Sequence, residues 1–402
     1  MRASRVVVVS HTAQLGGAET AMLRLLDALD RERFDVRVVL FDDGELRERL
    51  AARDIPVEIV ALGATSTITR QQTASPLTAL RGVAGAIAFT PRLARALRRH
   101  RPHLVVANSL KSAAVLSIAA PLLRSPWVWH LHDRLSGDYL PKAARLLLRV
   151  IAATGPRRVV ANSQATRLTL GRRGRARTTV AYPGLDAPAF SEREAHAADA
   201  IGMVGRISET KGQLLFVQAA SRLLRTHPDA RFRIVGAALF QDGDYEKRVR
   251  AAVDSDGLGD RVDFTGWVGE PTEAFAGLRL LVHASPVPEP FGQVVVEGMA
   301  AGIPVIATRA GGVPEVVDPE GRAAQLADGV WRAAFGLLVR PGDPGALSRA
   351  MEWALDHREE CDVTAAAARA SVAERFTIDA TAAIVDSVWT RAARQLRPVV
   401  RG

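Results

Sequence analysis

Residues 5–10, RVVVVS, set four valines in an unbroken row. A strand with one face in water alternates apolar and polar side chains. A continuous apolar row needs cover on both faces, which a parallel sheet between two helix layers provides. Similar short runs recur at 36–40, 57–60, 104–108, 127–130 and 158–162. Between them, 19–29, 44–53, 92–100 and 142–152 carry the apolar spacing of helices. A second series of strands is predicted at 201–205, 231–235, 262–265, 280–283 and 304–308. Strands alternating with helices in this way describe parallel α/β units.

The polar segment SEREAHAADA, 191–200, interrupts the pattern, and 402 residues are too many for one ordinary core and comfortable for two. The expectation is an α/β fold of two Rossmann-like, doubly wound parallel-sheet domains, 1–190 and 191–375. A terminal helical stretch, 376–402, would pack back across the hinge onto the first domain. Ligands of such sheets bind beyond the carboxyl ends of the strands. Two sheets facing each other across a cleft would therefore place the site in that cleft.

Composition excludes several classes. The 48% hydrophobic and 24% charged residues describe an ordinary globular chain, and the single cysteine, Cys361, rules out an intramolecular disulfide and a cysteine-rich zinc site. No apolar run approaches the ~20 residues that span a bilayer. RVVVVS is too short for the core of a signal peptide, so the expected location is cytoplasmic. The net charge of +10 is unevenly spread: residues 1–195 hold 30 Lys+Arg against 16 Asp+Glu, whereas 196–402 hold 23 against 27. Such asymmetry suits an anionic partner, either a membrane surface, a phosphorylated substrate or a nucleic acid, although a merely solvated basic surface accounts for it as readily. The irregular stretch 65–101, which contains PLTALRGVAGAIAF, reads either as a helix packed on its own domain or as an amphipathic helix touching lipid.

Three short stretches carry chemistry. In SHTAQLGGAETAML, 10–23, a strand ends and Gly16-Gly17 precede a helix; glycines let the backbone approach an anion closely, and free N–H groups at the helix start attract it. Gly-Gly before a helix is also often only a turn, and the absence of GxGxxG argues against a nicotinamide dinucleotide. In IGMVGRISETKGQLLFVQAA, 201–220, Arg206 and Lys211 lie five positions apart on one loop and could clamp a diphosphate, one bidentate and one a point charge. An isolated pair of surface cations is the plainer alternative. In PEPFGQVVVEGMAAGIPV, 288–305, a helix is expected to begin at Pro290-Phe291-Gly292 and end at Gly302, with Glu289 in the loop before it and Glu297 along it. Carboxylates accept hydrogen bonds from hydroxyls and repel anions, so their partners would be sugar alcohols, and amides near Phe291, Gly292 and Gln293 would meet an acceptor oxygen. The valines 294–296 favour a strand and speak against that helix.

Taken together, these motifs resemble the retaining glycosyltransferases of family 4, built on the two-Rossmann GT-B fold. Glu289-Pro-Phe-Gly through Glu297 is similar to that family's E-x7-E motif, VGRISETKG to its G-R-x-x-x-x-K-G loop, LGGAE to its N-terminal Gly-Gly loop and FGLLVRPGDPGAL to its C-terminal segment. The likeness runs from about residue 6 to 389. It implies transfer of a sugar from a nucleotide diphosphate-sugar, such as UDP-glucose or GDP-mannose, to an acceptor hydroxyl with retention of anomeric configuration. Arg206 and Lys211 would neutralise the departing diphosphate, Glu297 would hold the ribose and Glu289 the donor sugar, with the amides of Phe291 and Gly292 beside it. Gly16 and Gly17 would approach the diphosphate from the first domain.

His132, in WHLHDRLSGDYL, is similar to a histidine that the family places beside the transferred sugar, with His130 its competitor. The resemblance implies no cofactor and no metal, and a His-x-His pair without further ligands at suitable spacing agrees with that. Tyr182-Pro-Gly-Leu-Asp186 departs from the Asn-Gly-x-Asp of many relatives, which leaves the role of Asp186 open. No nucleophilic carboxylate is evident, so front-face attack is the expected mechanism.

The acceptor is expected to be a saccharide, lipid-linked or otherwise anionic, with peripheral contact to an anionic cytoplasmic membrane face and no nucleic acid. Two rival readings stand beside the transferase. One is a sugar-nucleotide epimerase of the same fold. The other is a basic protein that grips membrane or nucleic acid, which leaves Glu289, Glu297 and Arg206 without purpose.

Overall fold

The computed structural model describes residues 3–62, 76–190, 199–238, 242–269 and 271–394. The predicted interruption at 191–200 and the start of the irregular stretch at 65–75 fall almost wholly outside them. The chain divides into two compact units, one of residues 1–184 with 378–402 and one of residues 185–377. The division thus falls at Gly184, a few residues ahead of the expected 190.

In the first unit the strands are β1 (Ser4–Ser10), β2 (Phe34–Leu40), β3 (Val57–Ile59), β4 (Leu104–Ala107), β5 (Trp127–Leu131), β6 (Arg158–Ala161) and β7 (Thr178–Val180). They form one sheet in the order β3-β2-β1-β4-β5-β6-β7, and every pairing is parallel. The helices between them are α1 (Gly17–Ala28), α2 (Glu45–Ala51), α3 (Pro76–Arg99), α4 (Leu110–Ala119), α5 (Lys142–Thr154), α6 (Gln164–Leu168) and α7 (Arg172–Ala176). The valine row of β1 is explained by its two buried faces. Val6 and Val8 join the core under α1, whereas Val7 and Val9 join the opposite core with Phe89, Leu93 and Leu97 of α3. The α3 segment expected as either packed or lipid-facing therefore packs over its second half.

The second unit contains β8 (Ala200–Val204), α8 (Gln213–Leu223), β9 (Arg231–Val235), α9 (Gly243–Ser255), β10 (Val262–Gly266), α10 (Pro271–Ala274), β11 (Leu278–His283), α11 (Gln293–Ala300), β12 (Val305–Thr308) and α12 (Val313–Val317). It continues with β13 (Ala324–Ala327), β14 (Val330–Ala333), β15 (Gly336–Val339), α13 (Pro344–Asp356) and α14 (Arg358–Arg375). The sheet order is β10-β9-β8-β11-β12-β15-β14-β13, parallel except for the antiparallel edge made by β13 and β14. That edge was not expected from the sequence. The last helix, α15 (Ile378–Arg394), belongs to the first unit, where Val385, Val388 and Trp389 enter the core beside α1.

The expected helix forms as α11, but with different bounds. It spans Gln293–Ala300 rather than 290–302, because Gly292 takes a left-handed conformation (φ 99°) and serves as the N-cap. The valine triplet is helical all the same, since Val295 and Val296 are buried and tertiary packing outweighs their modest strand preference.

Candidate active site

Strand order reverses at β8/β11 in the second unit, and ligands of open α/β sheets bind at such a reversal, beyond the carboxyl ends of the strands. Arg206 and Lys211 lie on the loop leaving β8. His283 is the last residue of β11, and Glu289 lies on the loop that follows it. Lys211 Nζ donates to Glu289 Oε1 at 2.6 Å, and His283 Nε2 lies 3.3 Å from the same oxygen. The other nitrogen of His283, Nδ1, faces the hydroxyl of Thr308 at the end of β12 at 3.0 Å. Burial alone would raise the Glu289 carboxyl, but Lys211 and His283 outweigh it and hold the group ionised, well below the ordinary carboxylate range. A carboxylate before a helix start is thus explained: it is matched by a cation from the neighbouring loop.

The backbone makes this contact attainable. Gly212, at φ 86°, caps α8, and a Cβ there would lie 2.2 Å from the carbonyl oxygen of Ala284. Only glycine lets the two loops close on each other. Gly311 plays the same part from the loop after β12, where a Cβ would lie 1.9 Å from the Glu289 carbonyl oxygen. The Gly312 N–H donates to that carbonyl at 2.9 Å. Gln213 fixes the Arg206 loop by donating to the Arg206 carbonyl and accepting from the Ser208 N–H. Ser285 donates to the Thr210 carbonyl, which ties the β11 loop to the β8 loop.

The remaining expected residues of this unit occupy distinct places. Arg206 forms an ion pair with Asp242 at 3.0 Å, a partner absent from the sequence reading. Glu297 lies one turn into α11 and accepts from the Gln293 side chain at 3.0 Å. The Phe291 ring is buried against Phe376, so its backbone is the part left to meet a ligand.

In the first unit the reversal falls between β1 and β4. Gly16 is the extended N-cap of α1 and Gly17 its first residue. Glu19, three residues after the cap, is buried; burial, with Asp133 adding to it, pushes its carboxyl up to about 7, although the Gly16 and Glu19 backbone N–H groups pull the other way. His132 follows β5, and its Nε2 lies 3.0 Å from Asn108 Oδ1. That oxygen is an acceptor, so Nε2 carries the ring proton and Nδ1 is the acceptor. Burial lowers His132 to about 4 and His130 to about 3, and both rings are neutral at pH 7. His130 is a structural residue: its Nε2 accepts from the Trp389 indole N–H at 3.0 Å and so anchors α15.

Asn108 and Asn162, which the sequence reading did not single out, follow β4 and β6 on either side of His132. With His130 and His132 they line a small cavity. Asn162 donates to the His132 carbonyl at 2.9 Å, and Asn108 Nδ2 and Asn162 Oδ1 are buried without a partner. A signal was present: the pentapeptide VVANS occurs twice, at 105–109 and 159–163. In each copy the asparagine faces this cavity and the serine caps the next helix, Ser109 for α4 and Ser163 for α6.

Comparison with known proteins agrees with this architecture. Residues 16–184 match the model of the glycosyl transferase 4-like domain, and residues 189–371 that of the glycosyl transferases group 1. The chain belongs to the family 4 glycosyltransferases of GT-B fold. It is 28% identical to the D-inositol 3-phosphate glycosyltransferase of Streptomyces avermitilis over 89% of this chain and 83% of that protein. It is 26% identical to the lipopolysaccharide core biosynthesis mannosyltransferase LpsB of Rhizobium meliloti over 65% of this chain and 78% of the relative. The crystal structure of Anabaena HepE in complex with UDP-glucose superposes with a TM-score of 0.80 at 26% identity, covering 96% of this chain and 99% of the other.

Proposed function

We propose that this glycosyltransferase takes its sugar from a nucleotide diphosphate-sugar and passes it to an acceptor hydroxyl with retention, without a metal ion. The observation that carries the reading is the Lys211–Glu289–His283 cluster at the strand-order reversal of the second unit. A lysine held against a buried carboxylate is positioned before substrate arrives, and a diphosphate can share its charge without displacing the loop. Arg206, paired with Asp242 at the rim, is the bidentate partner for a second phosphate oxygen. Glu297 accepts from the ribose hydroxyls, and Glu289 from the donor sugar. The UDP-glucose bound by Anabaena HepE supports the class of donor.

In the proposed reaction the bond between the anomeric carbon and the diphosphate oxygen breaks while the bond to the acceptor oxygen forms on the same face. The acceptor's proton passes to the departing phosphate. His132, neutral at pH 7, offers its Nδ1 to a sugar hydroxyl and does not take part as an acid. The deciding assay incubates the enzyme with UDP- and GDP-sugars and a saccharide acceptor and determines the anomeric configuration of the product. A retained product formed in the presence of EDTA supports the reading. An inverted product contradicts retention, loss of turnover with EDTA contradicts the metal-free mechanism, and conversion of the donor without acceptor shows an epimerase.

A further inference from the structure

The face of α5 turned away from the sheet carries Leu146, Leu147 and Val150, which are 64%, 55% and 50% exposed, with Ala143 also exposed beside them. The helix covers the first-unit core with Leu148, Ile151 and Ala152. Residues 143, 146, 147 and 150 fall on one stripe of a 3.6-residue helix, on the side opposite those core contacts. Single exposed aliphatics are common; three on one stripe are not. The neighbouring elements carry exposed aliphatics too: Ile118 near the end of α4, Leu122 just after it and Leu168 at the end of α6; α4 and α7 are helices that α5 lies against.

Charge identifies the partner. Residues 76–177, which supply this helix layer, hold 19 Lys+Arg against two acids, Asp133 and Asp138. Arg124, Lys142, Arg172 and Arg173 are exposed, and none has a carboxylate at ion-pair distance among the described residues. A second copy of the chain would bring this excess of positive charge against itself, which disfavours a symmetric dimer through α5. Nucleic acid is a poor match because the stripe offers aliphatic side chains and no aromatic ring on which a base could stack. An aliphatic stripe on a helix layer this rich in arginine and lysine suits acyl chains beneath anionic headgroups. No helix among the described residues is long and apolar enough to cross a membrane, so contact would be along the surface.

We propose that α5 is a membrane-docking helix that seats the first unit on an anionic lipid bilayer. The surface lies on α5, outside the 65–101 stretch for which the sequence left a packed and a lipid-touching helix both open. This inference is independent of the sugar-transfer reading, and its test does not read activity. The full-length protein is sedimented with vesicles of phosphatidylcholine alone and of phosphatidylcholine with 30% phosphatidylglycerol, at low and high salt. The expected result is pelleting with the anionic vesicles only, weakened by salt.

The triple substitution Leu146→Ser, Leu147→Ser, Val150→Ser should lower the partition coefficient by about tenfold or more. Arg172→Glu with Arg173→Glu should lower it comparably. An unchanged far-UV spectrum and melting temperature would establish that both variants fold. Failure of the wild type to pellet with anionic vesicles would overturn the proposal, as would equal pelleting of the triple variant. So would a wild-type dimer in solution that the triple substitution dissociates, or a single-stranded oligonucleotide whose binding the triple substitution abolishes.

Discussion

Lys211 and Glu19 are charged side chains with and without a partner: Lys211 pairs with Glu289, whereas Glu19 is buried against backbone N–H groups. The lysine is paired, so its charge is available at low cost to an incoming diphosphate. Lys211→Ala is expected to reduce kcat/KM by about 10²–10³, the loss that follows removal of one preorganised group facing developing charge. Steady-state kinetics check this, and turnover within a few-fold of wild type would remove the clamp. Glu19 has no matching cation among its named neighbours, and its folded pKa is raised to about 7. A carboxyl raised in the folded state contributes stability below its unfolded value of 4.5, and that stability is lost as pH rises through 7. Glu19→Gln should therefore melt close to wild type at pH 5 and progressively higher than it toward pH 8, by up to about 3 kcal/mol. A gap that does not widen with pH contradicts this assignment. His130 and His132 act in the other sense: both are lowered, so their stability is present above pH 6.5 and lost as pH falls toward 4.

The loops between elements were less legible than the elements. Gly212 is expected to tolerate no substitution: at φ 86° an alanine is strained, and its Cβ would meet the Ala284 carbonyl. Gly212→Ala should cost about 1–3 kcal/mol and weaken nucleotide binding, because the loop carrying Lys211 must move. Thermal melts with and without UDP or GDP read both effects. The sequence could offer Lys211 and Glu289 as candidates, since residue types and spacing are visible. It could not show that they touch, because the contact is made across 78 residues by two loops that glycine lets converge. Most of the parallel strands were legible because both of their faces are buried and leave continuous apolar runs; β7 (TTV), only half-buried, and β15 (GLLV) were not among them. The edge of β13 and β14 was missed because β13 is mostly exposed and lacks such a run, although Asp328-Gly329 between the strands is a strong hairpin signal. Asn108 and Asn162 were missed for a related reason, since a polar residue at a strand end looks like any turn residue until its side chain is seen to be buried.

At the scale of the molecule, the chain is two sheets, each with its chemistry-bearing residues at the carboxyl ends of its parallel strands, and a last helix that returns to the first unit. Trp389 fastens that helix: it is buried edge-on against Phe34, and its indole N–H donates to His130. Trp389→Ala should cost about 3–5 kcal/mol and lower the melting temperature, whereas affinity for a nucleoside diphosphate, assigned to the second unit, should stay within a few-fold of wild type. Donor base and donor sugar are set by contacts that sequence spacing does not encode.

Recognition of the donor's diphosphate by the loops after β8 and β11 is the proposal on which the other roles depend. Titration calorimetry of wild type, Arg206→Ala and Lys211→Ala with UDP, GDP and the corresponding free nucleosides tests it most directly. At least one nucleoside diphosphate should bind wild type and lose tenfold or more in affinity in each variant, while any binding of its nucleoside is unchanged. Equal loss for nucleoside and nucleoside diphosphate, or a diphosphate that binds both variants as it binds wild type, would contradict it.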